Sequence, residues 1–303
     1  MVPGQPVVVG AVEGAEKVRV LVTGALGQVG SELCELLGAA PQHQLLALSH
    51  ADLDISDRER TLQVTGEWEP EVIINAAAFT NVDACETNLD KAFGVNALGP
   101  RNVAEAAQMV GAHLVHVSTD YVFDGTSRSP YLEWDPPNPL SVYGRSKLAG
   151  EREVVSLQPG AAVVRSSWIC GRYGPNMVKT VLRLARQPGQ LRFVDDQRGC
   201  PTFASDLAAM LVQLAISRAP GVFHVTNQGP TSWFGFARDV LTAAGEDPAR
   251  VLPIKTADLD PPRPAPRPAN SVLDNAALRL LGVPLLVDYH DPLERTVKYL
   301  LAT

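Results

Sequence analysis

From Val18 onward, short apolar runs alternate with longer stretches in which apolar residues recur every three or four positions. The first run, Val18 to Thr23, precedes a glycine-rich turn and then Gln28 to Leu37, where Val29, Leu33, Leu36 and Leu37 share one side. That spacing predicts a strand, a turn and an amphipathic helix. Runs at Gln44 to Leu48, Val72 to Asn75 and His113 to Ser118 predict three more strands, separated by helical patterns such as Asn88 to Val110. A helix follows Tyr143, a strand is predicted over Ala161 to Arg165, and Gly221 to Thr226 is placed to return as the last strand. Strands alternating with helices predict an α/β fold, a doubly wound parallel sheet covered on both faces.

The first turn carries the strongest chemical signal. In Val22-Thr23-Gly24-Ala25-Leu26-Gly27-Gln28-Val29-Gly30, three glycines follow a strand and open a helix, so backbone N–H groups can face a pyrophosphate. The predicted architecture is therefore a dinucleotide-binding Rossmann domain over 18–170, with 203–228 returning to its sheet. A smaller C-terminal substrate-binding lobe is expected over 171–202 and 229–303, which are irregular and rich in Pro, Gly and Arg. The DPPRPAPRP segment, Asp260 to Pro268, reads equally as a polyproline linker or as a structured loop at the lobe edge. Residues 1–17 lack a basic n-region and are broken by Pro3, Gly4, Pro6, Gly10 and Gly14, which predicts a flexible tail, or the product of an upstream start codon.

Composition narrows the function classes. A formal charge of -7 provides no basic surface for nucleic acid. Cys34, Cys85, Cys170 and Cys200 are scattered without CxxC spacing, as in a reducing compartment, and the six histidines form no HExxH, so no metal site is predicted. No run approaches the ~18 apolar residues of a membrane span, and a soluble cytoplasmic protein is expected.

Around the turn, Gly24, Gly27, Gln28, Val29 and Gly30 are assigned to the cofactor. The second strand ends at Leu48-Ser49-His50 with no acidic residue for a ribose 2′-hydroxyl, which leans towards NADPH, with NADH as the alternative. Asp54 and Ile55 either flank the adenine or belong to an acidic helix start. Ala76, Ala77 and Ala78 follow the third strand, where small side chains let a cofactor approach. Ser118, Thr119 and Asp120 end the fourth, where ligands bind in open parallel sheets, although the same residues make ordinary turns. Tyr143 and Lys147 stand four apart on one helix face. A free tyrosine ionises near ~10, and an adjacent ammonium is expected to lower that value.

The segments VTGALGQVG, INAAAFTNVDACE, HVSTDYVFDG, VYGRSKLAGE, VRSSWICG, DDQRGCPT and RPANSVLD together resemble the extended short-chain dehydrogenase/reductases, and among them the dTDP-4-dehydrorhamnose reductases, from Val18 nearly to the C-terminus. The resemblance implies reduction of dTDP-6-deoxy-L-lyxo-4-hexulose to dTDP-L-rhamnose, for bacterial surface polysaccharide. It implies that Tyr143 donates the proton, Lys147 holds the nicotinamide ribose, and Thr119 hydrogen-bonds the reacting oxygen. It further implies that Asp120, Trp168, Asn176, Gln197, Pro201 and Thr202 contact or shape the sugar site with Asp196, and that Arg267 and Asn270 hold the dTDP diphosphate. Trp168 as core and Arg267 as surface charge stay open beside those roles. The sequence departs from the commoner family form at its N-terminal extension, at the end of strand two and at Phe79. A monomer or homodimer without catalytic metal is expected. Two other readings remain: an NADP-binding regulatory subunit of a methionine adenosyltransferase, and a nucleotide-sugar epimerase or dehydratase that would retain its cofactor through purification.

Overall fold

The structure, a computed structural model, describes residues 17–303, so the tail expected over 1–17 lies almost wholly outside the described residues. Six strands form one parallel sheet: β1 (Val18–Thr23), β2 (His43–Leu48), β3 (Val72–Asn75), β4 (His113–Thr119), β5 (Ala162–Ser166) and β6 (Gly221–His224). Their spatial order is β6-β5-β4-β3-β1-β2. The chain runs outward from β1 to β2 and then crosses to place β3 on the other side of β1. A crevice therefore opens above the carboxyl ends of β1 and β3, where open parallel sheets bind ligands.

Both faces of the sheet are apolar because successive strand residues point opposite ways. Val20, Val22, Ile74, Val115 and Val164 face one way, onto helices α1 (Gln28–Gly38) and Ala204–Ile216. Leu21, Ile73, Leu114 and Val163 face the other, onto the helices Gly99–Val110 and Val142–Leu157. The last of these, called α2 here, carries the Tyr143–Lys147 pair. A separate core lies beyond the sheet, where Phe203, Phe236, Val240, Val251, Leu293 and Val297 are all buried.

The helix expected from Asn88 to Val110 is not continuous. Two α-helical stretches, Leu89–Phe93 and Gly99–Val110, flank a π turn over Gly94–Leu98. Pro100 has no N–H to return to the Asn96 carbonyl, and the helix widens there. The freed space is used by α2: a Cβ on Gly150 would lie 2.2 Å from the Asn96 oxygen, so the two helices touch backbone to backbone. The proline-rich segment is a structured loop, since both guanidinium nitrogens of Arg267 bind the Asp83 carboxylate at 2.8 Å and Ala265 N–H donates to it at 3.1 Å.

No described helix is long and apolar enough to cross a membrane. One ion pair is fully enclosed: Arg165 on β5 meets Glu151 on α2 through Nη2 at 2.7 Å and Nε at 3.0 Å. Ser118 on β4 donates to the same carboxylate at 2.5 Å, and the Arg165 guanidinium lies over the Phe123 ring. Removing one member strands the other charge in a medium that cannot solvate it. Arg165→Met is expected to lower unfolding free energy by about 3–5 kcal/mol. Urea denaturation checks this; a loss below about 1 kcal/mol would mean that water reaches Glu151.

Candidate active site

Above the carboxyl ends of β1, β3, β4 and β5 lies a cleft of about 730 Å³. One end is built by the glycine turn. Gly24 has φ +73°, and a Cβ there would sit 2.7 Å from Ala77 N and 2.8 Å from the Ala76 oxygen, so the turn lies directly on the end of β3. Gly27 N–H donates to the Gly24 carbonyl, and α1 starts after Gly27 without a side-chain cap. First-turn amide groups and the positive end of the helix thus face the cleft beside Gln28 and Val29, a fit for a diphosphate. Gly30 does not line the cleft. A Cβ there would fall 2.1 Å from the Gly24 oxygen, and its smallness lets helix and turn close together.

At the end of β2, His50, Asp54 and Ile55 line the cleft and Ser49 does not. Ser49 donates its hydroxyl to Asp52 at 2.6 Å and its N–H to the same oxygen at 2.9 Å. Asp54 accepts from the Ser56 hydroxyl at 2.7 Å and from its N–H at 2.9 Å. Both carboxylates near the expected adenosine ribose are therefore turned onto serines. Ala76, Ala77 and Ala78 line the cleft beside the glycine turn.

The other end carries the reactive groups. Thr119, Tyr143 and Lys147 line it together, with Ser118, Asp120 and Tyr121. Lys147 is 2% exposed and gives one of its three N–H donors to the Val117 carbonyl at 2.8 Å. Burial lowers its pKa to about 8, against the opposing pull of Glu151 one turn on. Desolvation raises the Tyr143 phenol above its ordinary value, with Thr119 opposing the rise. The Tyr143 phenol thus moves opposite to the lowering expected from Lys147, because burial dominates. Asp120 is 2% exposed, and its carboxyl is pushed up to about 7 by burial, with Ser271 and Thr119 opposing.

Trp168 and Trp233 close the remaining side. Trp168 holds φ +47°, and its ring stacks on Trp233 at 3.5 Å between centroids and 7° between planes. A Cβ on Gly199 would lie 2.5 Å from the Trp168 ring, so the Gly199 backbone packs closely against the indole as well.

Other residues assigned to the sugar nucleotide stand outside the cleft lining. Asn176 caps the helix Met177–Ala185 and bonds the Gly171 carbonyl at 2.9 Å. Gln197 donates to the Thr256 hydroxyl at 2.9 Å, and Asp196 accepts from the same hydroxyl at 2.7 Å, so the pair clasps a loop. Pro201 and Thr202 are buried in the strand pairing beside Trp168. Arg267 is occupied by Asp83, and Asn270 donates to the Ser127 carbonyl at 2.9 Å. In the structure each of these two is bonded to a protein partner. Conversely, Trp233, Tyr121 and the π-turn residue Val95 line the cleft without having been anticipated. Glu151 was also missed, although it continues the Tyr143–Lys147 spacing by one further turn.

The family described as RmlD substrate binding domain matches residues 18–301. A dTDP-4-dehydrorhamnose reductase of Mycobacterium tuberculosis is 43% identical over 271 residues, covering 88% of each chain. One from Aggregatibacter actinomycetemcomitans is 42% identical over 267 residues, covering 84% of this chain and 90% of its own. A crystal structure of dTDP-4-dehydrorhamnose reductase from Bacillus anthracis in complex with NADP superposes with TM-score 0.89 at 39% identity, covering 95% of this chain and 100% of that one.

If the glycine turn holds the diphosphate, Gly30→Ala must force Gly24 away and weaken NADPH binding by about tenfold or more, roughly 1.4 kcal/mol. Fluorescence titration of NADPH, with a melting curve to confirm folding, checks this; unchanged affinity in a folded variant removes the turn from the cofactor site.

Proposed function

Because the chain belongs to the RmlD substrate binding domain family, we propose that it catalyses NADPH-dependent reduction of the C4 ketone of dTDP-6-deoxy-L-lyxo-4-hexulose to dTDP-L-rhamnose. The observation that carries this reading is the convergence of Thr119, Tyr143 and Lys147 in one cleft with an uncapped, glycine-opened helix terminus. When bound, the nicotinamide supplies the hydride.

The chain's own residues supply the rest. Gly24, Gly27, Gln28 and Val29 hold the diphosphate, and Lys147 has donors left for the nicotinamide ribose. As the C4 oxygen takes on negative charge, Tyr143 gives it the phenol proton and Thr119 stabilises it by hydrogen bonding. Desolvation suits this direction of reaction, since a reductase starts from the protonated phenol. Trp168, stacked on Trp233, offers a flat apolar wall to the sugar or its base.

NADPH over NADH is supported by the end of β2. A ribose 2′-hydroxyl is usually recognised by a free carboxylate there, whereas Asp52 and Asp54 are engaged by Ser49 and Ser56. His50 and Asp54 are the polar side chains facing that corner, Asp54 with one oxygen held by Ser56.

Initial rates of NADPH and NADH oxidation with dTDP-6-deoxy-L-lyxo-4-hexulose test the reading. dTDP-L-rhamnose is expected, with the higher kcat/KM for NADPH; absence of turnover with both cofactors would overturn it. Tyr143→Phe is expected to bind NADPH as before while kcat falls roughly 10²–10⁴-fold, the contribution of a placed proton donor. A variant that retains kcat would remove Tyr143 from proton transfer.

A further inference from the structure

Asp120 is a buried carboxyl without a salt bridge to explain it. One oxygen, Oδ1, lies 3.0 Å from the Thr119 hydroxyl, while Oδ2 is enclosed and has no hydrogen-bond partner among the described residues. The carboxyl borders the cleft between Thr119 and Tyr121. Its titratable neighbours are Tyr121 beside it, Tyr143 on α2 and the buried Cys200. Arg267 and Arg263 reach Tyr121 but pair with Asp83.

The consequence follows from counting the proton and lone pairs of Thr119. A hydroxyl has one proton and two acceptor sites. The Tyr121 N–H occupies one acceptor site at 3.2 Å. If Asp120 is ionised it can only accept, so Thr119 donates its one proton to Asp120. That proton then points away from a substrate oxygen. If Asp120 is protonated it donates to Thr119, fills the second acceptor site and turns the threonine proton outward.

We propose that Asp120 is a positioning residue whose protonation reverses the Asp120–Thr119 hydrogen bond, and that only the protonated form aims the Thr119 proton at the reacting carbonyl oxygen. This rests on the placement of Thr119 and Tyr143 at the C4 oxygen argued above. No redox step is involved, and the proton that leaves Tyr143 for the sugar is the one counted in the reduction.

The test compares the pH dependence of kcat for the wild-type chain and Asp120→Asn, whose amide can donate to Thr119 but does not titrate in this range. Wild-type kcat is expected to fall by about tenfold per pH unit above the Asp120 titration, about pH 7, and Asp120→Asn to lose that limb, declining only where Lys147 titrates, near 8. A second measurement needs neither substrate nor an intact variant site. Infrared titration of the wild-type protein is expected to show a protonated-carboxyl C=O band that disappears over the same pH range, and the band is expected to be missing from Asp120→Asn. The proposal is overturned if Asp120→Asn keeps the wild-type limb, or if the band is missing from the wild type at pH 5. A wild-type chain that binds NADPH and shows the band but reduces nothing at any pH overturns the functional reading, and the proposal with it.

Discussion

A helix that packs against a sheet normally does so with an apolar stripe, yet α2 presents Tyr143, Lys147 and Glu151 at successive turns of one face. The rest of the site depends on how those desolvated groups are satisfied. Lys147 is bonded to the Val117 carbonyl, and Glu151 holds both Ser118 and Arg165. Each contact ties the helix to the carboxyl end of β4 or β5. Burying charge costs several kcal/mol per ion unless it is paired and hydrogen-bonded, so a shift of α2 along the sheet would break these bonds together. The stripe therefore fixes where Tyr143 stands relative to Thr119. The same interaction bounds the Lys147 pKa: burial pulls it down while Glu151 holds part of it up.

The second constraint is the backbone approach at the switch point. Gly24 rests on the Ala76–Ala77 backbone, and Gly30 on Gly24, so β1, its turn, α1 and β3 close with no side chain between them. This leaves the helix terminus open towards the cleft. On the far side, Trp168 holds a left-handed conformation that costs about 1–3 kcal/mol for a non-glycine residue. The Trp233 face and Gly199 over-determine it. The strained residue lies where the chain leaves β5, so the aromatic wall is fixed by the same bend that carries the chain out of the sheet.

Much of this was legible because it is local. Apolar runs and their spacing gave every strand of the sheet, and the glycine triplet between a strand and a helix gave the turn. What local pattern does not carry is the choice of partners far apart in sequence. Arg267 carries the charge expected of a phosphate ligand, but Asp83 takes both arms of its guanidinium, and nothing in the DPPRPAPRP pattern announces that partner. Gln197 and Asn270 look available for a ligand and are spent on loops. Trp233 emits no signal until it stacks on Trp168. Glu151 is different, because Tyr143, Lys147 and Glu151 form an i, i+4, i+8 series that helical spacing alone could have marked. Pro100 likewise could have flagged a break in the long helical pattern, since it removes a backbone donor.

The reversed expectation for Tyr143 also bears on the direction of chemistry. A lysine beside a tyrosine suggests a phenolate, which suits removal of a proton from an alcohol. Reduction needs the opposite form at the start, and desolvation favours the neutral phenol. The neutral phenol carries the proton that the oxygen receiving the hydride needs. In the proposed reduction Lys147 acts on the product side: once Tyr143 has given up its proton, a nearby ammonium stabilises the phenolate left behind. The site thus separates two tasks that a single tuned pKa cannot serve equally well. Burial keeps the donor loaded before the reaction, and the ammonium meets the charge that appears after it.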